Sequence, residues 1–177
     1  NGISTASGIS LAGGNFSNFN SIQVLNFQTG ILCGGSGNIY FFNDDLFVNN
    51  GTALSVNGAN VQFKDSTIFG TTILPAANVG VNATGAGSFF VMNGGSCALC
   101  DISISINNNT IATINGGIFK FNNTGIAQSG GSQLTLSSSN FEITNNPTDI
   151  NIQISGAGTF ADIIGCEFNG ASLTNVP

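Results

Sequence analysis

Positive charge is what this sequence most lacks. Lys64 and Lys120 are its only cations, arginine and histidine are absent, and the eight acidic residues set a formal net charge of −6. A nucleic-acid surface needs clustered Lys or Arg, so nucleic acid is excluded as a partner. No apolar run approaches the roughly 18 residues that span a bilayer, so no transmembrane segment is expected, and no basic stretch leading into an apolar core marks a signal peptide. Tryptophan is missing and Tyr40 is the single tyrosine, which removes the usual aromatic platform for a sugar ring. Strong helix formers in sustained 3.6-residue spacing are missing too. Asn, Gly, Ser and Thr, which favour turns, fill the space between apolar positions, so no helix is expected.

What is present is a repeat. Gly58 to Phe69, Gly94 to Ile104 and Gly130 to Phe141 read as imperfect copies: a small-residue turn, an alternating apolar and polar run, a small polar corner, and a closing Phe or Ile. Weaker copies begin at Gly34-Gly35, at Gly116-Gly117 and near Gly165. Their spacing is irregular, from about 14 to about 36 residues, which implies coils of roughly 20 to 25 residues with insertions. Period-2 alternation between turn residues predicts short strands. An antiparallel sandwich with Asn-Gly hairpins would share these features. The constant order of turn, strand, corner and closing residue favours instead a solenoid, each repeat forming one coil stacked about 4.8 Å from the last. The expected fold is a single-domain parallel β-helix of about seven coils spanning residues 1–177.

This packing accounts for the composition. Inward files of Val, Ile, Leu and Phe absorb the 15 phenylalanines. Asn-Gly at 57–58, 93–94 and 115–116, and Asn-Asn at 49–50, 122–123 and 145–146, suit tight corners, where Asn tolerates left-handed backbone and can ladder its amide to the next coil. Only 6% of residues are charged and mean hydropathy is +0.29, against about 25% charge in ordinary domains. Spread over a surface of about 8,000 Å², ten charges are thin cover for a free monomer. Neutral Asn, Ser, Thr and Gly could keep such a surface wet. Open solenoid ends without a charged cap point instead to cover by copies of the chain or neighbouring assembly subunits. Phe16, Phe19 and Phe27 fit either a hydrophobic cap or a joint with a neighbour.

Cys33, Cys97, Cys100 and Cys166 are too sparse for a disulfide scaffold. Cys97 and Cys100 have CxxC spacing, but zinc wants a second pair and a thioredoxin-like site wants a βαβ context. Buried thiols in core files are expected, with a local Cys97–Cys100 bridge as the alternative. Sequons at Asn15, Asn50, Asn82, Asn108 and Asn122 are as frequent as chance gives in an Asn-rich chain and carry no weight. A chain beginning at Asn1 is expected to be a processed product or part of a longer one.

The Gly-Gly and Asn-Gly turns and the closing Phe or Ile resemble the right-handed parallel β-helix family that includes pectate lyases, polygalacturonases and phage tailspikes. The resemblance implies a right-handed coil and three possible roles: cleavage of acidic polysaccharide, hydrolysis of a surface glycan, or structural and adhesive work. The lyases use an Arg base, which this chain lacks. Asn43-Asp44-Asp45 resembles the paired Asp of polygalacturonases, but their supporting His and Arg-x-Lys have no counterpart, and the tripeptide reads as a solvated turn. Two carboxylates about 5 to 9.5 Å apart suffice for glycoside hydrolysis. Asp45, Asp65 and Asp101 lie near strand–corner junctions, where stacking in adjacent coils would bring two within about 5 Å and raise one pKa by the other's charge. Calcium-binding loop patterns are missing, so no metal and no cofactor is expected. An ice-binding face needs a regular Thr file, and Thr71-Thr72, Thr110, Thr113 and Thr135 show no common register. The expectation is a non-enzymatic structural or adhesive subunit at a virion surface, cell surface or extracellular assembly. The alternative is a glycan-binding or glycan-cleaving β-helix using Asp44, Asp45, Asp65 or Asp101.

Overall fold

The computed structural model describes residues 4–13, 16–70, 78–142, 150–169 and 173–176. Among these, every regular element is a strand and every strand pair is parallel. The first sheet has eight strands, β1 (Ser4–Leu11), β4 (Phe27–Gly34), β7 (Thr52–Asn57), β10 (Val79–Thr84), β13 (Ile102–Ile106), β16 (Thr124–Gln128), β19 (Ile150–Ser155) and β22 (Leu173–Val176). The second has seven: β2 (Phe16–Asn20), β5 (Ile39–Asn43), β8 (Asn60–Lys64), β11 (Phe89–Asn93), β14 (Ile111–Asn115), β17 (Gln133–Ser137) and β20 (Phe160–Ile164). The third has seven three-residue strands: β3 (Gln23–Leu25), β6 (Leu46–Val48), β9 (Thr67–Phe69), β12 (Ser96–Ala98), β15 (Ile118–Lys120), β18 (Asn140–Glu142) and β21 (Glu167–Asn169). Each sheet takes every third strand of the chain, so the polypeptide winds once round per triplet. The result is a parallel β-solenoid of about six turns, close to the expected seven.

Sequence periodicity and packing agree inside the coil. In the second and third sheets alternate residues point inward and their files are mainly apolar, whereas first-sheet strands bury two consecutive residues, such as Ala53 and Leu54 or Ser103 and Ile104. In the third sheet the inward file is Val24, Phe47, Ile68, Cys97, Phe119, Phe141 and Phe168. Phe119, Phe141 and Phe168 stack at ring-centroid distances of 4.6 and 5.1 Å. In the second sheet Phe19 stacks on Phe42 at 5.0 Å with rings 9° from parallel, while Phe16 stays outside against Phe41. Phe19 and Phe27 pack on the core. Of the three residues expected as a cap or joint, Phe16 alone is fully outward.

The corners are where the chain turns left-handed. At the second corner, between the second and third sheets, Ser21, Asp44, Asp65, Gly94, Gly116, Ser138 and Gly165 all have φ between 49° and 70°. Each of the first six donates its N–H to a carbonyl of the next coil. At the third corner, leading back to the first sheet, Asn26, Asn49, Leu99 and Phe121 do the same with φ of 56° to 63°. Asparagine ladders form as expected. Asn43 Nδ2 donates to Asn18 and Asn20 Oδ1 at 3.0 and 3.2 Å, and Asn49 donates to Asn26. Asn145-Asn146 lies outside the described residues.

The repeat is in different phase from the one the glycines suggest. Gly58 and Gly130 mark the first corner, but Gly94, Gly116-Gly117 and Gly165 mark the second. Counting both corners as one produced apparent spacings of about 14 to 36, whereas stacked residues are 21 to 29 apart. The copies beginning at Gly58 and Gly130 also close differently. Gly58 stacks in line with Gly131 rather than Gly130, and that one-residue slip puts Phe141 in the core and Phe69 outside. The longest connections, between β9 and β10 and between β18 and β19, both lead from the third sheet back to the first, and the first corner varies too, with two more residues between Ala83 and Phe89 than between Val56 and Asn60.

Candidate functional site

The four candidate carboxylates divide between two corners. Asp44 and Asp65 occupy equivalent second-corner positions in adjacent coils, both exposed, and Asp65 Oδ1 leans over Gly94, where a Cβ would collide with it. Neighbouring coils lie about 4.8 Å apart, so these two stack. Asp45 is turned the other way, 2% exposed. Asp101 sits at the third corner, half-buried, with its Oδ1 accepting from Asn123 Nδ2. Adjacent-coil stacking therefore pairs Asp44 with Asp65 and leaves Asp101 apart.

Asp45 belongs to a structural file. Its Oδ1 accepts the Ile22 N–H of the preceding coil at 2.8 Å, and its own N–H donates to Ser66 Oγ at 3.0 Å. The Gly117 N–H donates to Ser139 Oγ at 3.2 Å in the same geometry three coils further on. Ser66 and Ser139 each return a hydrogen bond to the carbonyl two residues back, from Ser66 to Lys64 and from Ser139 to Ser137. Asp45 Oδ2 is buried without a hydrogen-bond partner. Burial pushes the carboxyl up from its ordinary value, the N–H groups of Ile22 and Asn43 oppose the rise, and the charge of Asp44 adds least. The shift expected from a neighbouring carboxylate is thus mainly desolvation. No group of three or more Cys, Asp or Glu among the described residues could hold a metal ion.

The thiols fill core and corner positions. Cys33, Cys97 and Cys100 are buried, Cys166 is half-buried, and all are free, so Cys97 and Cys100 are not bridged. Burial lifts the Cys33 and Cys100 thiols to about 12 and the Cys97 thiol well above its ordinary value. Protonated and enclosed, none of the three is nucleophilic. Thr113 and Thr135 are stacked partners, contrary to expectation, but Val91 and Asp162 flank them in that file and Thr110 is a buried corner residue. Thr71-Thr72 lies outside the described residues. Of the sequons, Asn50 and Asn122 are buried, each accepting a backbone N–H and donating to a backbone carbonyl.

What organises the surface is apolar. The large hydrophobics most exposed among the described residues are Phe16, Phe89, Ile111, Phe160 and Ile164 on the second sheet, and Leu25, Phe69, Ile118, Leu99 and Phe121 on the third sheet and its corner. None lies on the first sheet. Eight of them form two stripes along the rod, Phe16, Phe89, Ile111 and Phe160 on the second sheet and Leu25, Phe69, Leu99 and Phe121 along the third sheet's last residues and its corner, while Ile118 and Ile164 stand singly beside the second corner. Leu99 and Phe121 hold left-handed φ of 59° and 56°, a conformation that costs a bulky residue about 1–2 kcal/mol. Sequence reasoning missed the stripes because alternation shows which residues point outward only after register is known. No family model, no curated protein and no solved structure matches the chain. Fold and stacking define its class, a parallel β-solenoid.

Proposed function

We propose that this protein is a non-enzymatic structural or adhesive solenoid, a subunit of a virion-surface, cell-surface or other extracellular assembly, that works by stacking and self-association. The observation that carries this reading is the gathering of eight of the ten exposed large hydrophobics into two longitudinal stripes on a rod with almost no charge. Apolar surface gathered in stripes rather than scattered singly is the mark of an interaction face. Backbone ladders between coils and the filed core supply stiffness, and the stripes supply adhesion. The placement of the carboxylates supports the non-enzymatic part: Asp45 is a corner-capping group, and Asp101 is engaged by Asn123 at another corner.

Light scattering of the 177-residue chain across a dilution series tests the reading. A mass several times 17.9 kDa that persists on dilution is expected. A monomer at every concentration would refute it.

A second reading rests on the exposed stack of Asp44 over Asp65. In it these carboxylates bind or cleave a surface glycan. Paired substitutions Asp44→Asn and Asp65→Asn would then abolish glycan retention or sugar release, whereas an assembly subunit keeps its mass and its behaviour in both variants.

A further inference from the structure

The solenoid has a second, longer period. Along the outer edge of the second sheet, the stacked first residues of its strands run Phe16, Ile39, Asn60, Phe89, Ile111, Gln133, Phe160. The pattern is Phe, Ile, amide, repeated, with Phe at every third coil. The first corner does not follow this period, because the same Gly-x-Gly-polar turn leads into Ile39 at Gly35-Ser36-Gly37-Asn38, into Phe89 at Gly85-Ala86-Gly87-Ser88 and into Phe160 at Gly156-Ala157-Gly158-Thr159. Within these corners Ser88 and Thr159 each accept an N–H of the preceding coil, from Gly58 and Gly131. The third-corner insertions fall before coils four and seven, the coils that carry Phe89 and Phe160. Along this edge the rod repeats every three coils, a step of about 14 Å.

The file has a further property. Reversed about its centre at Phe89, it places Phe on Phe at three levels: Phe16 opposite Phe160, Phe89 opposite itself, and Phe160 opposite Phe16. From this we infer that the second sheet's outer face is a two-fold interface between two copies of this chain lying antiparallel, with the axis between the faces and along β11. Such an axis preserves position along the strands, so the phenylalanine file of one copy meets the same file of the other. The remaining levels put Ile39 against Gln133 and Asn60 against Ile111. In the middle of the strands Val91 meets itself.

Charge agrees with this arrangement. Lys64 and Asp162 are the only charged residues pointing outward from this sheet. Under the two-fold, Asp162 faces Asn18, whose amide can donate to it, and Lys64 faces Asn115. No like charges meet. The three phenylalanines are 64%, 37% and 62% exposed in the single chain. A partner without the same three-coil spacing would match one of them and leave the others wet.

This inference rests on the self-association proposed above, and disulfide trapping separates the two. Phe89→Cys, oxidised in the full chain, should give a covalent dimer that the wild-type cysteines do not give. Phe16→Cys alone should not, because its two copies lie about 29 Å apart along the rod, yet mixed with Phe160→Cys it should cross-link. Phe89→Glu should weaken the dimer by about tenfold or more, while Ser55→Glu on the first sheet's outer face leaves the mass unchanged. A persistent multimer with no Phe89→Cys trap, or a trap of Phe16→Cys with itself, overturns this interface and leaves self-association standing. A wild-type monomer overturns both.

Discussion

Asp45 shows how one residue can be read as chemistry from sequence and as architecture from packing. It sits in a corner file whose other capping members are Ser66 and Ser139, and it alone brings a carboxyl into that site. Its folded-state pKa lies above the ordinary value of 3.8. The folded chain therefore binds this proton more tightly than the unfolded chain. Its contribution to stability is greatest below pH 3.8 and is lost as pH rises through the shifted value. Asp45→Ser should restore the hydroxyl geometry of Ser66, raise stability at pH 7 by about 1–2 kcal/mol and remove this part of the pH dependence. Denaturant unfolding at pH 3 and pH 7 checks it, and a variant less stable at pH 7 would contradict the capping role. Thiol labelling checks burial in the same way. In the native protein Cys166 should react first and Cys33, Cys97 and Cys100 only after unfolding.

At the scale of the element, the corners decide register. Asn50 and Asn122 each tie the third corner of one coil to the coil before it, Asn122 through the Cys100 N–H at 2.8 Å and the Cys97 carbonyl at 3.0 Å. Asn122→Ala leaves both groups unpaired in a buried site and should cost about 2 kcal/mol or more in denaturant unfolding, where an exposed corner Asn would cost little. Strand character, the absence of helix and the filed phenylalanines are legible in the sequence because period-2 alternation and turn chemistry are local properties. Phase is not local. Gly58 and Gly94 look alike because first and second corners both demand left-handed backbone, and only pairing across coils tells them apart. A local cue to phase is the Gly-x-Gly-polar turn at 35–38, 85–88 and 156–159, which marks the first corner each time. Among the carboxylates, Asp44 and Asp65 were legible as corner residues. The inward turn of Asp45 was not, because adjacent Asp residues at a corner give no sign of which one faces the core.

At the scale of the whole molecule, local stability and assembly pull in opposite directions at the third corner. Leu99 and Phe121 hold left-handed backbone where Asn26 and Asn49 sit in other coils. Phe121→Asn should stabilise the isolated chain by about 1 kcal/mol while making the assembly dissociate at higher protein concentration. Calorimetry and dilution light scattering read the two effects separately. If Phe121→Asn leaves association untouched, that stripe is not used in assembly. The three-coil period has a bearing on length as well. A rod built from identical rungs could grow or shrink by one rung without penalty, but one whose outer face recurs only every third rung behaves as a vernier. Loss of a single coil would slide Phe89 and Phe160 against the wrong partners, whereas loss of three coils would return the phenylalanine file to phase. Viable lengths of such a protein are quantised in steps of about 14 Å.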